Sequence, residues 1–240
     1  MLKVENLTIS FGGFCVFKDV NLTLIKEKIT GLIGPNGAGK TTLFNAISGF
    51  VKPKKGKIEV DGIDITTKPI YERRHLGIVR TFQQVKLFEN HTVEENLLMA
   101  LKPQKLKDYF IIDHNSKVKV KRILLFSNLL KYQHIKLKNL PFGIRRFVQV
   151  AIAILCKPTY LLLDEPAAGL NYSEQEKLSR LILKTIQKFK CGIIIVDHNM
   201  DFIMNLVDDI YVLANKKILA YGKPCEITHN REVIKVYLGE

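Results

Sequence analysis

Along residues 1–30 apolar and polar positions alternate, with Leu2, Val4, Leu7 and Ile9 followed by Val20, Leu22 and Leu24. A period of two predicts antiparallel strands with one face turned to water. From Lys28 to Ile33 the alternation gives way to a buried strand that runs straight into glycines. A helix is expected from Lys40, and Gly49 stands where helices commonly stop. Lys57 to Ile65 predicts a short hairpin turning at Asp61-Gly62. Thr92-Val93-Glu94-Glu95 makes a capping box ahead of Leu97, Leu98 and Leu101, so a helix begins there.

Between Ala100 and Cys156 the pattern is mostly helical and basic, with no convincing strand. Tyr160 to Leu163 is a short apolar strand. Ser173 to Glu176 predicts a second capping box, opening a helix with Leu178, Leu181, Ile182, Ile186 and Phe189 on one face. Ile193 to Val196 reads as another buried strand, and Ile210 to Tyr221 as a hairpin turning at Asn215. Strands alternate with helices at both ends of the chain and a helical block lies between. That order predicts an α/β sheet core interrupted by an inserted helical subdomain.

Composition changes this picture little. The 240 residues, 47% of them hydrophobic, suffice for one sizeable core. The nearest approach to a membrane span, Val148 to Leu163, is split by Lys157-Pro158-Thr159 and falls short of roughly 20 apolar residues. The start of the chain alternates like a strand and shows no leader pattern, so a cytoplasmic protein is expected. The cysteines Cys15, Cys156, Cys191 and Cys225 are scattered and read as free thiols, and the six histidines lack ligand spacing. A net charge of +14 would suit nucleic acid or an anionic membrane surface. The lysines, however, are spread over loops and faces (Lys52, Lys54, Lys55, Lys57, and the run from Lys102 to Lys138), which favours solvated surface and no nucleic-acid partner.

Gly34-Pro35-Asn36-Gly37-Ala38-Gly39-Lys40-Thr41, followed by Thr42, is GxxxxGK[ST] between an expected strand and an expected helix. The glycines let successive backbone N–H groups turn inward around phosphate oxygens, and the helix N-terminus adds its positive end. Lys40 would neutralise β/γ charge and the Thr41 hydroxyl would reach Mg²⁺. By chance the pattern arises in about one chain of this length in a hundred. A second buried strand ends in Asp164-Glu165. Asp164 is expected to hold Mg²⁺, and Glu165 to orient the attacking water or accept its proton.

With Leu163-Asp164-Glu165-Pro166-Ala167-Ala168-Gly169-Leu170-Asn171, these residues resemble an ABC-type ATPase subunit. The resemblance implies a P-loop NTPase with a RecA-like core, an antiparallel β subdomain and an inserted helical subdomain. Residues 1–83 and 157–240 would form the catalytic core, and 84–156 the helical part with the signature loop. It further implies that Gln83 senses Mg²⁺ and the γ-phosphate, that His198 contacts the γ-phosphate, that Gly169-Leu170-Asn171 lies in the D-loop, and that Phe11 stacks on adenine. More narrowly, Thr81-Phe82-Gln83, Leu87-Phe88-Glu89-Asn90, Thr92 to Leu98 and the ending Val236-Tyr237-Leu238-Gly239-Glu240 resemble the importer ATPases of branched-chain amino acid uptake. Lipopolysaccharide-transport ATPases share a similar ending.

One motif departs from the family pattern Leu-Ser-Gly-Gly-Gln. This chain reads Leu140-Pro141-Phe142-Gly143-Ile144. In the family this loop caps the γ-phosphate on the opposite subunit. Pro141 offers neither hydroxyl nor N–H, and a lost hydrogen bond to a charged phosphate costs about 1.5–3 kcal/mol. Gly143 and the helix start after it remain as anion binders. The resemblance thus implies an ATP- and Mg²⁺-dependent subunit, peripheral on the cytoplasmic face of the inner membrane. Its partners would be permease subunits, a second ABC ATPase (a different chain being favoured by the altered loop) and a solute-binding protein. The alternatives are a lipopolysaccharide-type transport ATPase and a regulatory ABC protein that barely turns ATP over.

Overall fold

Alternation at the start of the chain becomes two long paired strands in the computed structural model, which describes residues 1–83, 87–101 and 114–238. Strand β1 (Leu2–Phe11) pairs antiparallel with β2 (Phe14–Leu24), Leu2 opposite Leu24 and Val4 opposite Leu22. Then follow β3 (Ile29–Ile33), α1 (Lys40–Ser48), β4 (Lys55–Val60) and β5 (Ile63–Asp64). The hairpin of β4 and β5 turns at Asp61 and Gly62, both at positive φ. β4 also pairs with the free side of β1, giving a four-stranded sheet ordered β2-β1-β4-β5.

The middle of the chain supplies α2 (Ile70–His75), β6 (Ile78–Arg80), α3 (Val93–Leu101), α4 (His114–Phe126) and α5 (Phe142–Leu155), with short 3₁₀ turns at Leu130–Tyr132 and Leu137–Asn139. The rest is β7 (Tyr160–Asp164), α6 (Tyr172–Phe189), β8 (Gly192–Val196), α7 (Met200–Met204), β9 (Asp209–Ala214), β10 (Lys217–Gly222), α8 (Pro224–Thr228) and α9 (Arg231–Leu238). A six-stranded sheet runs β10-β9-β3-β8-β7-β6, parallel except for β10. β3, β7 and β8 are buried along their whole length, which is why they read as unbroken apolar runs.

Side chains of the parallel strands alternate between two cores. Leu162, Ile194 and Val196 join Phe44, Leu43 and the inner face of the antiparallel sheet. Leu161, Leu163, Ile193 and Ile195 face α3 to α6. The C-terminal ends of β3, β6, β7 and β8 lie at one edge, so the segments after Ile33, Arg80, Asp164 and Val196 gather there. Open parallel sheets bind ligands at that edge.

α1 is closed at its C-terminal end by Gly49 at φ 90 and by Arg73, a buried guanidinium donating to the carbonyls of Ala46, Ile47, Thr66 and Lys68 at 2.5–2.9 Å. A cation on helix-terminal carbonyls is favourable.

The capping box at Thr92 forms as expected, with reciprocal bonds between Thr92 and Glu95. The one expected at Ser173 is displaced by two residues. Asn171 accepts from the Glu174 N–H at 3.0 Å, and the Glu174 carboxylate accepts from the Asn171 N–H at 3.0 Å. Two overlapping cap patterns compete here. The chain is extended at Asn171 (φ −74, ψ 168), as a cap residue must be, whereas Ser173 already lies in the first turn. Asn171→Ala is therefore expected to lower stability by about 1 kcal/mol, and Ser173→Ala to stay within about 0.5 kcal/mol of the parent. Denaturant midpoints of the two variants check this.

The boundary drawn at 84, the stretch 102–113 of the basic helical block and the final Gly239-Glu240 lie outside the described residues. Among the described residues no helix is long and apolar enough to cross a membrane.

Candidate functional site

The loop after β3 is held by contacts only glycine allows. A Cβ on Gly34 would stand 2.0 Å from the carbonyl oxygen of Leu213, and one on Gly39 (φ 101) would stand 2.8 Å from Val16. Gly37 is also at positive φ, with open space where a side chain would go. Lys40 is buried, and its Nζ donates to the carbonyls of Gly34 at 2.7 Å and Pro35 at 3.0 Å. Burial lowers its pKa, against the pull of Glu165 and Asp164. No side chain caps the start of α1, where Thr41 is exposed and Thr42 half-buried. The first-turn amides of a helix lack intrahelical partners, so this end is suited to an anion.

Asp164, at the end of β7, is 1% exposed. Its Oδ2 accepts from Arg80 Nη2 at 2.8 Å, while Oδ1 is buried and has no partner among the described residues. Burial raises the Asp164 pKa, and Arg80 opposes the rise. Arg80 also donates to Asn45 Oδ1 at 2.6 Å and Ser48 Oγ at 3.2 Å, between the rings of Phe44 and Phe82. An orphaned carboxylate oxygen near a hydroxyl-bearing loop matches the oxygen donors a hard divalent cation takes.

Glu165 adopts φ 47, its N–H donating to the Val196 carbonyl at 2.7 Å. This backbone aims its carboxylate between two side chains from other segments. Gln83 Nε2 donates to Oε2 at 2.8 Å, and His198 Nε2 lies 3.2 Å from Oε1. The adjacent Asp197 is buried and accepts from the N–H groups of Ala167 and Asn199, tying together the segments after β7 and β8. Burial raises the pKa of Asp197 as well. A carboxylate oriented by Gln83 and flanked by His198, beside an anion-binding loop and a metal-suited oxygen, can orient a water against a phosphate.

The structure thus brings Gln83, Glu165 and His198 together, Gln83 hydrogen-bonded to Glu165 and His198 within ion-pair distance of it, with Lys40 close enough for Asp164 and Glu165 to act on its charge. Phe11 ends β1, half exposed, and makes no polar contact with that group. Gly143 lies in the first turn of α5, packed so closely on α6 that a Cβ would meet the Glu174 carboxylate at 2.3 Å. Pro141 precedes this helix, and Ile144 packs against the apolar core.

Sequence reasoning missed the polar residues behind the site. Arg146 Nη1 donates to the Gln83 carbonyl at 2.8 Å and Gln149 Nε2 to the Phe82 carbonyl at 2.7 Å. Arg80 had a local signal, standing immediately before Thr81-Phe82-Gln83, but its partner lies on a distant strand.

Comparison with known proteins points to one family. The family model described as ABC transporter matches residues 17–168. The high-affinity branched-chain amino acid transport ATP-binding protein LivG of Escherichia coli (strain K12) is 37% identical, covering 100% of this chain and 98% of the relative. BraF of Pseudomonas aeruginosa, with the same description, is 36% identical over 100% and 98%. Among solved structures, a nucleotide-free ATP-binding cassette from an ABC transporter superposes with a TM-score of 0.91 at 30% identity, covering 100% of this chain and 99% of the other. The ADP conformation of such a cassette gives 0.90 at 31% identity, over 100% and 99%.

Proposed function

The chain belongs to the ABC transporter family, and on that premise we propose that it is the ATP-hydrolysing subunit of a membrane importer of branched-chain amino acids or similar small solutes. The observation that carries this reading is the Glu165 carboxylate beside the phosphate loop, hydrogen-bonded on Oε2 by Gln83 and with His198 Nε2 3.2 Å from Oε1. Identity to branched-chain amino acid transport proteins along the full chain supports the substrate class.

In this reading the backbone amides of Gly34 to Thr42 and the Lys40 ammonium hold the phosphates, and Phe11 stacks on adenine. Thr41, Asp164 and Gln83 would hold Mg²⁺, which would supply charge neutralisation to the phosphates. Glu165 orients the attacking water and takes up its proton, and His198 contacts the γ-phosphate. Residues 1–83 and 157–240 act as the catalytic core, and 84–156 as the helical part. Gly143, with the helix start around it, faces the nucleotide of a second ATPase subunit.

Pro141 and Ile144 remove a hydroxyl and an amide from that face, which favours a heterodimer in which this chain's loop makes the weaker of two composite sites. The same departures support a second reading, a regulatory subunit with weak turnover. Equal single-turnover rates at both sites of the assembled pair would overturn the asymmetry. The complex sits against permease subunits on the cytoplasmic face of the membrane and works with a solute-binding protein.

The test is recovery of the tagged chain from detergent-solubilised membranes, with its partners identified by mass spectrometry. Two permease-like proteins and a second, related ATPase are expected. Recovery with ribosomal proteins or nucleic acid, and nothing from the membrane, would overturn the reading.

A further inference from the structure

Resting on the role read above for Glu165, we propose that Arg146 and Gln149 are positioning residues that couple α5 to Gln83 and, through it, to Glu165. The two lie one turn apart on α5, at a spacing that puts them on one face. They are 3% and 8% exposed, on a helix whose other inward positions include Phe147, Val148, Val150, Ala151 and Ile154. A guanidinium among such residues is unfavourable unless it is hydrogen-bonded.

Their partners are two consecutive backbone carbonyls. Arg146 Nη1 donates to Gln83 O at 2.8 Å, and Gln149 Nε2 donates to Phe82 O at 2.7 Å. Arg146 Nη1 also reaches Gln149 Oε1 at 3.1 Å, which fixes the amide with its NH₂ toward Phe82. The clamped segment is irregular and continues into Gln83, whose side chain donates to Glu165 Oε2 at 2.8 Å. A buried residue that merely filled space would have no reason to be an arginine, here stacked on the Phe142 ring and donating to a backbone carbonyl. Arg146 instead stands in the field of Asp197, Glu165 and Asp164, which oppose the lowering of its pKa by burial.

Donor–acceptor distances of 2.7–2.8 Å leave no slack, since such bonds weaken steeply once stretched or bent. A shift of α5 by about 1 Å must therefore carry the 82–83 backbone with it or break both bonds. α5 begins at the altered loop Pro141 to Ile144. Whatever docks at that loop is thereby read at this chain's own Glu165, through Arg146, Gln149 and Gln83.

The test is a mutant cycle in the full chain assembled with its partners, following phosphate release and nucleotide affinity. Arg146→Met and Gln149→Met are each expected to lower kcat about 10- to 100-fold, since a misplacement of roughly 1 Å can cost about 10². KM for ATP should change less than about twofold, because the phosphate loop is untouched. Combined with Gln83→Ala, either variant should be no slower than Gln83→Ala alone within about twofold, as for residues acting as a unit. Arg146→Lys, which keeps a donor, should recover part of the loss. Unchanged kcat, or losses that multiply with that of Gln83→Ala, would overturn the proposal. If Arg146→Met does not fold, Gln149→Met, which removes the bonds to Phe82 O and from Arg146 but leaves Arg146 on Gln83 O, decides it. Glu165→Gln separates the two layers. Full turnover in that variant sinks the underlying reading, whereas loss there with a normal rate in Arg146→Met and Gln149→Met sinks only the coupling.

Discussion

Glu165→Gln is expected to bind ATP with nearly unchanged affinity and to release phosphate about 10²- to 10⁴-fold more slowly, the range a positioned general base contributes. The substitution keeps the side chain's shape and changes two things. It removes the negative charge that accepts a proton, and it turns one acceptor oxygen into a donor, which Gln83 Nε2 cannot accept and His198 Nε2 can accept only when unprotonated. Nothing in the phosphate loop depends on that carboxylate for its shape, since Lys40 is tied to Gly34 and Pro35. Steady-state phosphate release beside equilibrium binding of a fluorescent ATP analogue checks both halves. A variant within about threefold of the parent rate would remove Glu165 from the chemistry.

The second large effect is on stability. Arg80→Met leaves the Asp164 carboxylate buried with its remaining charge uncompensated, and breaking a buried ion pair this way costs about 3–5 kcal/mol. Asn45 Oδ1 also loses a close donor. At roughly 2–4 °C per kcal/mol for a chain of this size, the melting temperature falls by about 6–20 °C. The loss has a pH signature. Burial already pushes the Asp164 pKa up, and removing Arg80 takes away the largest opposing influence. A carboxyl with a raised folded-state pKa binds its proton more readily in the native than in the unfolded chain. Acidification from neutral pH toward that pKa should therefore narrow the gap between variant and parent. Melts at pH 7 and pH 5 measure it, and an unchanged midpoint at pH 7 would show that the pair carries no stability.

Much of this was legible in the sequence, because the features involved are local. The period of two at the N-terminus, the fully apolar strands, the turn at Asp61-Gly62 and the glycine loop each declare themselves within ten residues. Gln83, Glu165 and His198 were found by their order along the chain and meet in space. What stayed hidden was non-local. Lys57 to Ile65 shows its own hairpin but not the pairing of β4 with β1. Arg73, Arg80, Arg146 and Gln149 look like ordinary polar residues until the fold buries them against distant carbonyls and Asp164. The capping box on α6 failed for another reason. Two valid patterns overlap, and the direction of the chain leaving Leu170 selects Asn171, which no local count of donors could decide.

The left-handed backbone at Glu165 has a consequence for stability. A non-glycine residue held there costs about 1–3 kcal/mol, and glycine or asparagine would sit more easily in the same peptide. Replacing Glu165 by glycine or asparagine would relieve that strain, so at this position turnover and stability pull in opposite directions.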